Sequence, residues 1–335
     1  MSRLGICVLG AGDMGRTHLG AWQTVRGAEP IAVCDIDEER AQAAKEEFGV
    51  GECFALIEEA LDETGIDIVS VCLPTHLHRR GAEGAMRRGI HVLCEKPLAM
   101  TIEDGKAMIA AARGCGVKFA LGFCKRFMEQ TQTMRELVQA GAIGRPVMYR
   151  VVSGVEIRFK PWIMDKQEGG GPLIDTACHY FDQWRVIFGC EPVRVMAMGT
   201  TFSTGAPELP GIDSEIDTAS VLVEFASGDM GLLSLSWGLP RGTSAPSQEH
   251  VLGKDGVVRL EGGRKLTVMK QGGEEEVRGG LDSDMHPKQV AAFAEAVRED
   301  GPVAATGEDG LAALRVSLAA LESARTGQAC EVTRP

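Results

Sequence analysis

Gly10-Ala11-Gly12-Asp13-Met14-Gly15 follows an apolar run and opens a helical pattern near the start of the chain. A G-x-G-x-x-G turn in that setting is a strong constraint. Its glycines permit a tight strand-to-helix turn and close approach of backbone to a pyrophosphate, and the helix start offers free N–H groups and a positive dipole end. The pattern that follows fits such a unit repeated. Apolar runs at residues 4–10, 30–35, 66–73, 91–95 and 117–122 predict strands. Helical patterns occupy 14–25, 38–48, 56–63, 76–88 and 102–115. Strand–helix alternation with continuous apolar strands predicts a parallel sheet covered on both faces.

The pattern changes after Gly122. A helix at 129–140 leads to a longer strand at 147–155, then a glycine run with a helix at 169–189. Strands are predicted at 194–201, 218–225, 232–237, 257–261 and 265–269, with turn residues between consecutive ones. Two helices, 287–298 and 309–325, close the chain. The Gly- and Pro-rich segment 203–213 reads as the most mobile loop. With 335 residues and about 150 residues per domain, two domains are expected. The fold class read here is α/β. Residues 1–123 are expected to form a doubly wound Rossmann domain, and 124–335 an α+β domain with an open, mainly antiparallel sheet.

A formal charge of −12 argues against a sequence-independent grip on nucleic acid. The ten cysteines do not pair at C-x-x-C spacing, and Cys7, Cys34, Cys72 and Cys94 sit inside apolar runs. They read as core residues in a reducing compartment, so a cytoplasmic location is expected. The N-terminus does not read as a signal peptide, and no apolar run approaches the roughly 18 residues of a membrane span.

Asp35 ends the second predicted strand. An acidic residue there accepts both ribose hydroxyls of NAD and repels the 2′-phosphate of NADP. Arg40 offsets that repulsion if it folds back over the ribose. The alternative is that Asp35 only caps the following helix, a role open to Asp37 as well. NAD is the expected cofactor, ahead of NADP.

Cys94-Glu95-Lys96-Pro97 ends the strand at 91–95, and Leu73-Pro74-Thr75-His76-Leu77-His78 ends the one before it. With Gly122-Phe123-Cys124-Lys125-Arg126-Phe127 and the fourteen-residue GGGxxxDxxxHxxD run from Gly169 to Asp182, these motifs resemble the Gfo/Idh/MocA family over almost the whole chain. The resemblance implies a nicotinamide-dependent oxidoreductase acting on a sugar or polyol carbon, assembled as a dimer or tetramer through the open sheet. It implies a catalytic set of Lys96, Asp175 and His179. It also implies a cofactor site drawn from Gly10, Gly12, Asp13, Met14, Gly15, Asp35, Arg40, Leu73, Pro74, Thr75, His78, Glu95, Lys96 and Trp162.

The chemistry of these residues is compatible with that role. Ligands of an open α/β sheet bind beyond the carboxyl ends of its strands. A lysine there stabilises a developing alkoxide and donates a proton on reduction; a surface lysine capping a turn is the plain alternative. Asp175 and His179 stand at i, i+4 spacing, so one helix face is expected to carry both, with Asp182 near the same stripe. A carboxylate beside an imidazole raises its basicity, although a single such pair is usually a surface pair. His179 is the expected base, assisted by Lys96.

Arg126 is expected to line a substrate pocket or to form a salt bridge. Trp162 is expected to cover the nicotinamide or stack on a sugar ring. Ile163 stands where some relatives carry Arg, and Cys124 where members often have Asn. His286 either reaches the pocket or only begins a helix before Pro287. Segments 153–161 and 239–249 are read as loops supplying hydroxyl-reading groups. His76-x-His78 and His91-x-x-Cys94 lack further ligands at supporting spacing, so no metal is expected. Two other functional readings share this fold: a redox-neutral sugar-modifying enzyme that retains and recycles NAD, and a catalytically inert sensor.

Overall fold

All six residues of β1 (Leu4–Leu9) are buried. A strand covered on both faces needs no polar alternation, which is why this run reads as continuously apolar. β1 is joined on one side by β2 (Ala28–Cys34) and β3 (Glu52–Phe54), and on the other by β4 (Ile68–Val71), β5 (His91–Cys94) and β6 (Phe119–Leu121). The order is β3-β2-β1-β4-β5-β6, with every neighbouring pair parallel. The connecting helices are α1 (Asp13–Gln23), α2 (Glu38–Phe48), α3 (Ile57–Leu61), α4 (His78–Met86) and α5 (Ile102–Cys115). Caps fix their ends. The Asp37 carboxylate accepts from the Arg40 N–H at 3.0 Å to start α2, and left-handed Gly49 ends it. The strand order reverses at β1/β4, the switch point where such sheets place their ligands.

The chain continues through α6 (Glu129–Gln139), β7 (Met148–Glu156), α7 (Pro161–Met164), α8 (Gly171–Asp175) and α9 (Ala177–Phe188). Then come β8 (Pro192–Thr200), β9 (Thr218–Phe225), β10 (Met230–Leu239), β11 (Ala245–Gly253), β12 (Gly256–Glu261), β13 (Lys265–Lys270) and β14 (Glu275–Arg278). Helices α10 (Met285–Arg298) and α11 (Gly307–Thr326) and the short β15 (Cys330–Glu331) complete the chain. The second sheet has nine strands in the order β14-β13-β12-β11-β7-β10-β9-β8-β15. It is antiparallel except where β7 and β10 run parallel. β9 shows the expected alternation: Val221, Val223 and Phe225 are buried, Ser220 and Leu222 point the other way. Trp184 of α9 packs on the covered face so tightly that a Cβ at Gly231 would lie 2.1 Å from its ring.

The computed structural model describes residues 3–332 except 159, 271, 274 and 283. It divides into two units, Met1–Cys124 with Asp284–Leu311, and Lys125–Ser283 with Ala312–Pro335. The sequence boundary left 284–311 with the second domain. Those residues pack with the first unit because α10 supplies Val290, Phe293 and Ala294 to the core built by Leu19 and Trp22 of α1.

Four short or polar strands differ from the sequence expectation: β3, β11, β14 and β15. β11 carries segment 245–249, expected as loop, and β7 carries 153–156. β11 reads as polar because much of it is exposed; its place comes from pairing with β7 and β12, which periodicity does not reveal. Segment 203–213 is also more ordered in its contacts than its composition suggests. Asp217 accepts the Phe202 and Ser203 N–H groups at 2.9 Å each, and Leu209 joins Met164 and Trp237 in a small satellite core.

Candidate active site

The glycine turn lies between β1 and α1, at the carboxyl end of the central strand. Its three glycines serve different needs. Gly10 has φ +95°, and a Cβ there would meet the Cys72 carbonyl oxygen at 2.5 Å. A Cβ on Gly15 would sit 1.7 Å from the Gly10 oxygen. A Cβ on Gly12 would meet nothing within 4 Å, so that face of the turn is open. No side chain caps α1, leaving its first N–H groups to a ligand. A backbone cradle with one open face and uncapped amides fits a dinucleotide pyrophosphate.

Asp35, just past β2, is buried beside this turn. Its Oδ2 accepts the Ala11 N–H at 2.8 Å and its Oδ1 the Asp37 N–H at 3.0 Å. Arg40 lies over it, with Nη1 at 3.3 and 3.4 Å from the two oxygens and Nη2 at 3.0 Å from Asp37. Asp37 rather than Asp35 caps α2. Asp35 is therefore held at the cradle by the backbone, with one guanidinium that an incoming group can displace.

At the end of β4, Leu73 and Pro74 are half-buried and Thr75 is buried at the start of a 3-10 turn, Thr75–Leu77. His78 is fully buried. Its Nδ1 is 2.8 Å from the Pro97 carbonyl and its Nε2 2.9 Å from that of Leu73. Burial lowers its pKa against the pull of these carbonyls. The ring ties the end of β4 to the segment after β5 and has no edge left for a ligand, which departs from the cofactor contact expected for it.

Glu95 and Lys96 follow β5 directly and differ in burial. Lys96 is half-buried. Glu95 is buried: its Oε1 is 3.0 Å from His18 Nε2, and its Oε2 accepts the Lys96 backbone N–H at 3.3 Å. Burial pushes this carboxyl up, but the His18 hydrogen bond and the nearby charge of Lys96 outweigh it, and the net pKa lies below the ordinary carboxylate value. Glu95 is thus an internal carboxylate beside Lys96 and not a surface contact. A Cβ at Gly122 would come within 2.5 Å of it.

In the second unit, Asp175 ends α8 and His179 lies in the first turn of α9. One continuous helix was expected. The helices abut at Thr176: the His179 N–H bonds the Thr176 carbonyl at 3.1 Å, and the Cys178 thiol contacts the Asp175 carbonyl at 3.1 Å. The i→i−4 bond gives way here to an i→i−3 bond, while Thr176 itself stays helical with φ −98° and ψ −40°. The glycines before them are filled by protein. A Cβ at Gly169 would meet Ile163 Cα at 2.5 Å, and one at Gly171 would meet Glu215 Cβ at 3.2 Å. Their smallness is therefore explained by α7 and the 201–217 segment. Trp162, in α7, is half-buried.

Arg126 donates to Asp182 through Nε at 2.8 Å and Nη2 at 2.5 Å. Of the two alternatives for this residue, the salt bridge is the one present.

A family model described as the Oxidoreductase family, NAD-binding Rossmann fold, matches residues 4–123, and its C-terminal alpha/beta domain matches 135–333. The chain belongs to the Gfo/Idh/MocA oxidoreductase family. It is 30% identical to the 1,5-anhydro-D-fructose reductase of Ensifer adhaerens, covering 99% of each chain. It is 29% identical to the myo-inositol 2-dehydrogenase of Thermotoga maritima, covering 95% of each. The crystal structure of a probable dehydrogenase from Thermotoga maritima superimposes with a TM-score of 0.82 at 27% identity, covering 98% of this chain and 99% of that one.

In this Gfo/Idh/MocA oxidoreductase, Lys96 and His286 belong to the first unit, and Arg126, Trp162, Asp175 and His179 to the second. His286, near the start of α10, has its ring centroid 6.4 Å from that of His18. Burial lowers its pKa, with Glu95 pulling the other way. Two residues at the dinucleotide domain were not singled out by sequence. His18 is one; its signal is a histidine on the buried stripe of α1. Ile36 is the other: it follows Asp35 and is 88% exposed, an apolar side chain set at the mouth of β2. Among the described residues no group of three or more His, Cys, Asp or Glu is arranged to hold a metal ion. No helix there is long and apolar enough to cross a membrane.

Proposed function

We propose that this protein is an NAD-dependent dehydrogenase or reductase of a sugar, inositol or related polyol, with Lys96, Asp175 and His179 as its catalytic residues. The observation that carries the reading is the Lys96 ammonium at the carboxyl end of β5, next to an internal carboxylate, on a domain whose glycine turn fits a dinucleotide. The cofactor supplies a hydride acceptor or donor.

The protein's own residues do the rest. Gly12 and the first N–H groups of α1 would hold the pyrophosphate, Asp35 and Arg40 would meet the ribose, and exposed Ile36 would offer an apolar surface to the adenine. Lys96, as an ammonium, stabilises the alkoxide that develops as the hydroxyl is deprotonated. His179 takes the hydroxyl proton on oxidation and returns it on reduction, with Asp175 as its assisting carboxylate. The names of the relatives, a reductase of an anhydro-sugar and an inositol dehydrogenase, support a polyhydroxylated substrate.

Copies of the chain associate through the uncovered face of the nine-stranded sheet. Val152, Met196, Met198, Leu222 and Met269 are exposed there, more apolar surface than an isolated sheet face favours. The free thiols fit a reducing cytoplasm. Nicotinamide absorbance against a panel of sugars, inositols and uronates, with NAD and NADP in parallel, tests the activity. Lys96→Ala is expected to abolish turnover while NAD affinity stays within a few-fold; near-normal turnover in that variant refutes the assignment. Tightly retained NAD with product formed and no NADH released would instead select the redox-neutral reading.

A further inference from the structure

Beneath Lys96 runs a chain of buried polar groups that substrate and cofactor do not need to touch. Trp22 Nε1–H donates to Ser70 Oγ at 2.8 Å. Ser70 Oγ is 3.1 Å from His18 Nδ1, and His18 Nε2 is 3.0 Å from Glu95 Oε1. Glu95 Oε2 accepts the Lys96 N–H. Trp22, Ser70 and His18 are fully buried and Glu95 nearly so. Burying four polar groups inside an apolar core is costly unless each is satisfied, and a partly satisfied network is worse than none. They come from three elements, α1, β4 and the end of β5, whose neighbours in the core are aliphatic and aromatic.

Proton accounting fixes the direction of the chain. Trp22 can only donate, so Ser70 Oγ accepts from it. The single Ser70 hydroxyl proton is then free for His18 Nδ1. In the neutral ring the imidazole proton therefore sits on Nε2, where it donates to Glu95. Both Glu95 oxygens are then held, one by His18 and one by the Lys96 backbone.

We propose that His18 is a positioning residue for the reaction: the chain Trp22–Ser70–His18–Glu95 locks the Glu95 carboxylate in place, and Glu95 in turn holds Lys96 and its positive charge ready for the substrate oxygen. The proposal rests on Lys96 being catalytic. The titratable groups facing Glu95 are His18 from α1, His286 from α10, Lys96, His78, and the Cys72 and Cys94 thiols. Burial raises both thiols far above their usual range, so they stay neutral. His286 lies close to His18 but makes no hydrogen bond in the chain just traced. Lys96 faces Glu95 and His78.

Four variants test this: Lys96→Ala, His18→Leu, His18→Gln and Ser70→Ala. The readouts are the pH profile of kcat/KM and, on cofactor-free protein, long-range nitrogen–proton NMR of the histidine rings. The wild-type spectrum is expected to show His18 as the Nε2–H tautomer; an Nδ1–H tautomer overturns the proposal. His18→Leu removes the donor to Glu95, and the limb of the profile that reports Lys96 is expected to move by roughly one pH unit, with kcat falling about ten-fold or more. His18→Gln, whose amide N–H can reach Glu95, is expected to restore most of the wild-type profile. Should His18→Leu fail to fold, Ser70→Ala decides: loss of the tautomer lock is expected to move the same limb in the same direction by a smaller step. An unmoved limb in a folded His18→Leu or Ser70→Ala protein, with Lys96→Ala inactive, refutes the role of His18 alone. Full turnover in Lys96→Ala refutes the catalytic lysine and this inference with it.

Discussion

Arg126→Met separates two meanings of the same residue. As a pocket-lining group, Arg126 would act on KM. The structure commits its guanidinium to Asp182 in a two-pronged bridge, with the side chains 12% and 2% exposed. Removing one partner of a buried pair leaves the other charged and desolvated, at a cost of about 3–5 kcal/mol. Arg185 softens that loss, because its Nη1 is 3.9 Å from Asp182, but its own head is engaged by Glu191 at 2.6 Å. The lower end, about 3 kcal/mol, is the expected loss. For a unit of this size each kcal/mol moves the midpoint by roughly 2–4 °C, so the second unit should melt about 6–12 °C lower. Arg126→Met/Asp182→Leu removes both charges and should recover most of that, since a buried ion pair replaced by apolar groups is often neutral. Calorimetry on the three proteins, with KM measured well below the transition, is the assay. An unchanged melting temperature with a ten-fold rise in KM would show that Arg126 serves the substrate and that the bridge is incidental.

Other consequences follow from the same geometry. Asp35→Ser, which removes the negative charge beside Arg40, should shift the kcat/KM ratio toward NADP by about ten-fold or more; an unmoved ratio would detach Asp35 from cofactor choice. Native protein treated with a thiol-alkylating reagent should label exposed Cys115 first and leave Cys7 and Cys34 untouched, since burial raises both thiols, that of Cys34 to about 12; early labelling of either, followed by mass spectrometry, would contradict it. Glu95 has a folded pKa below its unfolded one, so its ionisation stabilises the fold fully above the unfolded value, about 4.3, and that contribution is lost as pH falls through the lower folded value. Glu95→Gln should therefore be less stable than wild type at neutral pH, with the gap closing in acid; a gap independent of pH would mean Glu95 is buried uncharged.

The first domain was legible because its physics is local. A strand buried on both faces reads as a largely apolar run, and β1, the second half of β2, β4 apart from Ser70, and β5 after His91 provide such runs. The Asp37 cap and the left-handed Gly49 are written within a few residues of the helix they bound. β3 and β11 lacked such a mark. β3 has three residues and β11 is largely exposed, so both owe their form to strands distant in sequence. The placement of α10 has the same cause. Nothing local to α10 says that Phe293 will share a core with Trp22; that depends on the apolar face of α1, distant in sequence.

The candidate site shows why residue type alone misleads. Gly12 and Gly169 are both glycines in a motif, and both suggest a backbone opened for a ligand. A Cβ at Gly12 would project into open space, whereas one at Gly169 would strike the backbone of α7. Only the first leaves room beside the chain for a pyrophosphate; the second lets one segment of protein lie on another. His78 and His18 divide in a similar way. His78 stands in a family motif, yet both its nitrogens are occupied by carbonyls that fasten two strand ends together. His18 was one apolar-stripe residue of α1 to any reading of periodicity. Its importance comes from the contact it makes with Glu95, a residue far along the chain, and from the accident that Ser70 has only one proton to give. Periodicity can say that a histidine is buried; only the identity of its two partners says which nitrogen carries the proton, and on that the donor to Glu95 beside Lys96 depends.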